Sequence, residues 1–437
     1  MSKNAHAQPI PDRPAAPDAQ RSAAPARVVV VGAGFGGLWA ARALAREQVA
    51  VHLIDKHNYH TFLPLLYQVA AAELEPGLIA RSVRSLVRGQ RNVRVAMATV
   101  QRIDLARQTI DCEGQVFAYD YLILAMGSVN HFFAVPGAAT HCFTLKSMEE
   151  GVALRNHILR SIEAAAQMAD AAADARRRLL TFVIIGGGPT GVEYAGALAE
   201  LLFQPLAKDY PELDLRGEAR VILIEAIDRL LAGVGGGEYA LQRLVAMGVD
   251  VRLNCAVAAI TDDAVVLADG ETIATASPVW TAGVIGAPLT SAPPLARVRG
   301  GRIRVRPTLQ TMDFDNVFVV GDLAYLEQDG VMLPGVAQVA MQQGVHAAAN
   351  IGRAVRGLAL QPFMYYDKGA MATIGRNAAV ARIGGRLFTG FVAWLLWLAV
   401  HITFLIGFRN RLGVLLNWAW NYIFYERAVR LILPQKR

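Results

Sequence analysis

The sequence predicts an α/β protein: two tandem Rossmann-like, doubly wound dinucleotide-binding domains, followed by C-terminal amphipathic helices that anchor the chain to a membrane. Three observations carry that prediction. A strand–glycine turn–helix unit occurs twice, at residues 27–38 and 181–193. Each copy is followed by a further apolar strand that ends in an acid, Asp55 in the first and Glu225 in the second. Beyond about residue 385 the chain turns aromatic and apolar. At 437 residues it also exceeds one ordinary core and should divide.

In the first unit the valine strand Val28–Val31 runs directly into Gly32, Gly34 and Gly37, which fit G-x-G-x-x-G. The first glycine permits a tight turn and the second lets backbone approach a pyrophosphate. The third lets the helix pack closely on the strand. Phe35 and Gly36 complete the turn, and the pyrophosphate sits at the positive end of the helix that follows. Asp55 closes the next strand about 20 residues on, where a ribose hydroxyl needs an acceptor, with Lys56 behind it. Residues 316–322 form another buried strand, ending in Gly321 and Asp322. A carboxylate there can accept hydrogen bonds from the ribityl chain of a flavin. The bland alternative is an ordinary strand-to-turn aspartate, but paired glycine-rich domains favour FAD. Gly127 closes the first segment after Ala125 and Met126 and again allows close backbone approach.

The second unit repeats the fingerprint with Gly186, Gly188 and Gly191, with Pro189 and Thr190 inside the turn. Its acid, Glu225, comes later than usual, with Pro205 and Pro211 marking an extended connection. Glu225 suits an adenosine ribose diol and repels a 2′-phosphate, so NADH is expected over NADPH. Glu193 is placed on the first turn of the following helix. One reading makes it a partner of the helix dipole; the other puts it near the chemistry. The expected divisions are a disordered tail at 1–26, an FAD-binding domain at 27–150 and 290–360, an NADH-binding domain at 151–289, and a C-terminal region at 361–437.

Composition narrows the function classes. Apolar residues make up 54% of the chain, high for a freely soluble enzyme, and they concentrate near the C-terminus. The net charge of +7 suits anionic headgroups or phosphorylated substrates. Nucleic acid is not expected, because neither a basic helix nor an aromatic ribonucleoprotein motif is present. Cys112, Cys142 and Cys255 form no paired motif, which argues against a dithiol shuttle, and no metal is expected. Residues 1–26 are Ala/Pro-rich without the apolar run of a secretory signal, so the catalytic body is expected in the cytoplasm. Residues 387–408 carry no charge, and His401 is their one ionisable group. Length alone would permit a span. Arg409 and Arg411 follow, then a second aromatic stretch ending at Tyr425. Two helices lying in the headgroup plane explain this mixture best; a single span and a dimer interface are the alternatives.

With both sites assembled, the chain resembles the type II NADH:quinone oxidoreductases, the non-pumping alternative NADH dehydrogenases. The resemblance rests on residues 58–70, 279–283, 337–344 and 366–375 as well as the glycine turns. It implies hydride transfer from NADH to FAD and electron transfer on to a membrane quinone, ubiquinone or menaquinone, without proton pumping. It also implies that Gly283 adjoins the NADH, and that Gln338, Gln342 and Lys368 line a quinone pocket beside the flavin, which Gln338 also touches. Glu193 would then lie near the quinone or nicotinamide, in proton delivery. A peripheral, monotopic position on the cytoplasmic face of the inner (cell) membrane is implied, as is the homodimer that the family commonly forms. The nearest rival is a sulfide:quinone oxidoreductase, which needs a spaced pair of reactive cysteines. A non-catalytic NADH sensor is the rival from another class.

Overall fold

The structure, a computed structural model, describes residues 24–169, 172–424, 426–427 and 429–432. Nearly all of the tail expected at 1–26, and Tyr425, lie outside the described residues. The chain opens with β1 (Ala26–Val31), turns into α1 (Phe35–Leu44) and returns as β2 (Val49–Asp55). After the short helix α2 (Leu66–Ala70) it forms β3 (Val93–Met97). An antiparallel meander of 102–104, 109–112 and 115–118 then crosses to β4 (Tyr121–Leu124). Val28–Val31 are at most 4% exposed, as expected where helices cover both faces of a parallel sheet.

The second domain repeats the plan. It starts with β5 (Phe143–Thr144) and α3 (Met148–Ala166). A reciprocal capping box begins α3: Glu150 N donates to Ser147 Oγ at 3.2 Å, and Ser147 N donates to Glu150 Oε2 at 3.1 Å. Next come β6 (Thr181–Ile185), α4 (Pro189–Leu201), β7 (Arg220–Ile224), β8 (Val249–Arg252) and, after another antiparallel meander, β9 (Ser277–Trp280). The long connection before β7 is a π-helical turn at Leu202–Leu206, around Pro205, followed by two short helices. The chain then re-enters the first domain with β10 (Val317–Val319) and α5 (Ala337–Val355).

Both sheets are parallel throughout and share one order. The first runs β10-β4-β1-β2-β3 and the second β5-β9-β6-β7-β8. An antiparallel pair, Ser128–Asn130 with Val284–Gly286, forms the seam between them. Phe143–Thr144, expected within the first FAD segment, belongs instead to the second sheet, because it pairs with β9 beyond that seam.

The C-terminal region is an antiparallel sheet of β11 (Ala370–Thr373), β12 (Ala379–Ile383) and β13 (Arg386–Thr389), then α6 (Gly390–Phe404) and α7 (Phe408–Phe424). The alternative of a single membrane span is overturned. Leu387 to Thr389 lie in a strand, and among the described residues no helix is long and apolar enough to cross a membrane. Three polar anchors dock the region. Asn410 Nδ2 donates to the carbonyls of Leu78 (2.9 Å) and Ala80 (3.1 Å). Trp418 Nε1 donates to Gln68 Oε1 at 2.9 Å. Arg427, 6% exposed, donates to the carbonyls of Ala71 (2.9 Å) and Ala197 (2.8 Å) and pairs with Glu200 at 3.0 Å. A buried guanidinium left without these acceptors would be strongly destabilising.

Candidate active site

The first glycine turn sits at the carboxyl ends of β1, β2 and β4. A Cβ on Gly37 would overlap the Gly32 carbonyl oxygen, so only glycine allows this closeness of helix to strand. Gly34 is different: a Cβ there would meet nothing within 4 Å, and no side chain caps the helix it begins. Free amides facing open space at a positive helix end fit a pyrophosphate. Asp55 ties the turn down, accepting from Ala33 N at 2.6 Å and from His57 N at 2.7 Å. Phe35 packs edge-on against His60 and Phe62, Gly36 lies beneath Val320, and Lys56 is exposed beyond the strand end.

The Gly321–Asp322 end of β10 stands beside this cradle. Asp322 Oδ2 accepts from Ser128 Oγ at 2.6 Å, and Lys146 Nζ lies 3.7 Å away. Gly321 N donates to Gln343 Oε1 at 2.7 Å, and Gln343 is 1% exposed. Sequence reasoning missed Ser128, Lys146 and Gln343. The first two lie nearly two hundred residues from Asp322, and no local signal links them. Gln343 was detectable, because it falls in the apolar stripe of α5 with Ala340, Ala347 and Ile351. Gly127 takes φ +70° next to Ser128, and its carbonyl accepts from Ala287 N at 3.0 Å.

The second cradle repeats the first. A Cβ on Gly191 would overlap the Gly186 carbonyl oxygen, while Gly188 faces open space at the uncapped start of α4, with Pro189 and Thr190 exposed. Glu225 accepts from Gly187 N at 2.6 Å and Ile227 N at 3.1 Å, the arrangement Asp55 makes in the first. Thr281 Oγ1 adds donations to the carbonyls of Ile185 (2.9 Å) and Gly186 (3.0 Å), and Gly283 follows at φ +67°.

Glu193 is not on the first turn of α4. It is the fifth residue of that helix, one turn further in, and the dipole reading fails because the side chain is buried among the C-terminal elements. Its Oε1 accepts from Thr373 N at 3.3 Å. Burial pushes its carboxyl up to about 8, and only partial relief comes from the Thr373 amide and the Trp397 indole. A cavity of about 1090 Å³ reaches Glu193, with Tyr67, Gln68, Glu73, Trp397 and Trp418 also on its wall. Burial raises the Glu73 carboxyl to about 7 against the opposing pull of Arg427.

Gln338, Gln342 and Lys368 do not line that cavity. Gln338 is half-buried in the first turn of α5. Gln342 spends both ends of its amide on the Tyr366 backbone: Nε2 donates to the carbonyl at 3.0 Å, and Oε1 accepts from the amide at 3.0 Å. Lys368, two residues beyond, is exposed with its ammonium 5.6 Å from the Phe404 ring centroid. The cysteines offer no thiolate chemistry. All three are free thiols, and burial lifts Cys112 to about 11 and Cys142 to about 12.

Two dinucleotide cradles in one chain, one of them beside a braced Gly–Asp strand end, define the class: an FAD-dependent pyridine nucleotide oxidoreductase. Residues 26–344 match the family described as pyridine nucleotide-disulphide oxidoreductase, and residues 367–426 match the NDH2 C-terminal domain. The chain is 39% identical over 427 residues to the type II NADH:quinone oxidoreductase Ndh of Mycobacterium tuberculosis, spanning 94% of this chain and 91% of that protein. It is 40% identical over 428 residues to NdhA of the same organism, spanning 94% and 90%. The chain belongs to the type II NADH:quinone oxidoreductases. The solved structure of NDH2 from Plasmodium falciparum in complex with NADH shares the fold, with a TM-score of 0.84 at 16% identity over 94% of this chain and all of that one. The sulfide:quinone oxidoreductase of Aquifex aeolicus also shares it, with a TM-score of 0.68 at 19% identity over 92% and 96%.

Proposed function

We propose that the protein oxidises NADH and reduces a lipid quinone, ubiquinone or menaquinone, without pumping protons. The observation that carries this reading is the pair of uncapped glycine cradles meeting at one seam, with a cavity that ends on the buried acid Glu193. FAD, when bound, would supply the two-electron chemistry that links NADH oxidation to quinone reduction. Gly32, Gly34, Phe35, Gly36, Gly37, Asp55, Lys56, Gly127, Gly321, Asp322 and Gln338 would hold it. Gly186, Gly188, Pro189, Thr190, Gly191, Glu225 and Gly283 would hold NADH, in an orientation that lets hydride transfer proceed without reorganisation. Glu193, protonated below about pH 8, would hold a proton for the quinone oxygens. Gln342 would fix the 366–368 segment, from which Lys368, outside that cavity, would stabilise charge on the reduced flavin.

The face that meets the lipid is formed by α6 and α7. Phe391, Val392, Leu416, Trp420, Ile423 and Phe424 are each at least half exposed, a patch that a protein surrounded by water avoids. Arg409 and Arg411 flank it, as expected of helices resting among anionic headgroups on the cytoplasmic face. A homodimer burying the same patch is the competing arrangement. Flotation with lipid vesicles separates the two: Leu416→Glu with Ile423→Glu should abolish flotation without changing the size of the particle in solution.

Stopped-flow flavin absorbance tests the activity. NADH should bleach the yellow protein anaerobically, and a quinone added next should restore the colour. A colourless protein after reconstitution, or one that stays oxidised with NADH, removes the reading.

A further inference from the structure

A dinucleotide must straddle the second glycine turn. Glu225, at the end of β7, marks the adenosine side, so the nicotinamide half runs towards the strand on the other flank of β6, which is β9. Beyond β9 the chain passes Thr281 and Ala282, which back directly onto the Gly186 turn, and reaches Gly283. The Phe133 ring lies over that glycine: a Cβ on Gly283 would collide with Cε2 and Cζ. Yet Phe133 remains 59% exposed, so much of the ring has no protein partner.

The loop is built to hold the ring there. His131 N donates to the Gly283 carbonyl at 3.2 Å, and Trp280 Nε1 donates to the His131 carbonyl at 3.0 Å. The His131 ring meets Phe133 edge-on at 4.4 Å, and Phe132 rests against Trp280 at 5.5 Å. Phe133 and Ala134 both have left-handed backbone, at φ +47° and +57°. Residues with a Cβ avoid that region, and where neighbours enforce it the strain commonly serves a ligand. An ordinary surface loop would let the ring fold inward. Here the ring is held against Gly283 and His131 and stays largely exposed.

We propose that Phe133 is a substrate-stacking residue, whose exposed ring packs against the nicotinamide end of NADH and sets its approach to the flavin. The inference rests on the NADH site proposed above and adds a determinant for one half of that ligand. An offset or edge-to-face aromatic contact there would favour the bound ring and leave the adenosine half untouched.

Calorimetric titration of the oxidised, FAD-loaded protein with NAD+ and, separately, with ADP-ribose, which lacks the nicotinamide, tests it. Phe133→Ala should raise the Kd for NAD+ roughly 3- to 10-fold, the range expected for one aromatic contact. The Kd for ADP-ribose should change less than about twofold, and Phe133→Tyr should restore NAD+ binding. If Phe133→Ala fails to accumulate as yellow protein, Phe133→Leu, which keeps the cover over Gly283, carries the same comparison. Equal weakening of both ligands, or unchanged NAD+ binding, overturns the proposal. Failure of the unaltered protein to bind ADP-ribose would instead overturn the nucleotide site on which it rests.

Discussion

The two dinucleotide halves share a strand order, a glycine turn and a carboxylate clamp, and they differ in what closes over the turn. In the first half the edge strand beside β4 is β10, which returns from late in the chain, and the Gly321–Asp322 turn that follows it is braced by Ser128, Lys146 and the buried Gln343. Helix α5 presses so tightly on α1 that a Cβ on Gly344 would overlap the Gly36 carbonyl. The second half, whose edge strand is β5, shows no such brace among its described residues. Its turn is held from below by the Thr281 hydroxyl, and Pro189 and Thr190 stay exposed at the mouth. A resident cofactor calls for enclosure from several sides, whereas a substrate that must leave each turnover needs an open cradle. On the assignment proposed above, the same fold would serve both through what is added around it.

The sharpest way to break this comparison is to block each turn in the same manner. Gly37→Ala and Gly191→Ala each drive a methyl into a backbone carbonyl, and overpacking of this kind costs typically about 1–3 kcal/mol. The consequences should differ. Gly37→Ala should purify without flavin and with a much lower Tm, while Gly191→Ala should stay yellow but fail to be bleached by NADH. Flavin absorbance per polypeptide and anaerobic bleaching read both. Loss of flavin from Gly191→Ala would show that the halves do not divide the ligands.

Glu193 lies on the helix of the open half but faces the cavity beneath α6. Glu193→Gln should leave flavin reduction by NADH intact and slow quinone reduction roughly 100-fold or more, the scale of a positioned proton donor. The sign of the pH dependence follows from its raised carboxyl. With the folded-state value raised from 4.5 to about 8, its contribution to stability is complete below the ordinary carboxylate range and drains away as pH climbs towards 8. Quinone reduction should hold at lower pH and fall only as pH passes through about 8, where the stability change levels off, and both dependences should flatten in Glu193→Gln. A variant with unchanged quinone reduction at every pH would remove the proton role.

Much of this was legible in the chain itself, because the information is local. Two valine- and isoleucine-rich strands, each breaking at G-x-G-x-x-G and each answered by an acid, specify both cradles without any long-range knowledge. What the structure shows of the acids is a role the sequence reading lacked: Asp55 and Glu225, read as ribose acceptors, pin the amides of their own glycine turns. Helical phase was the weaker link. Counting from Pro189 would have moved Glu193 off the first turn, and the stripe of α5 would have chosen Gln343 as the buried glutamine. What no local pattern encodes is the meeting of Arg427 with Ala71, Ala197 and Glu200, since its partners come from two distant segments, the end of α2 and helix α4. The cavity that those contacts frame was illegible for the same reason.

A smaller effect is expected where selectivity is set. Glu225→Gln keeps an acceptor for Gly187 N but removes the charge that would repel a 2′-phosphate. The NADH-to-NADPH ratio of kcat/KM should fall by about tenfold, corresponding to about 1.4 kcal/mol. Asp55→Asn, the same change in the enclosed half, should leave that ratio where it was. A fall in both variants would mean that the acids act through the folding of their turns and not through recognition.

The finest test concerns the hydroxyl under the second turn. Thr281→Val keeps the shape and removes donations to the carbonyls of Ile185 and Gly186, for a net loss of about 1 kcal/mol. In the first half the corresponding place beneath the turn is filled by Ala125, which has no donor to lose; enclosure by β10 and α5 does that work instead. Thr281→Val should therefore lower Tm by a few degrees and modestly raise the KM for NADH, with flavin content unchanged. If flavin content fell in step with Tm, the two cradles would be one cooperative unit, and the division between enclosed and open halves would describe shape alone.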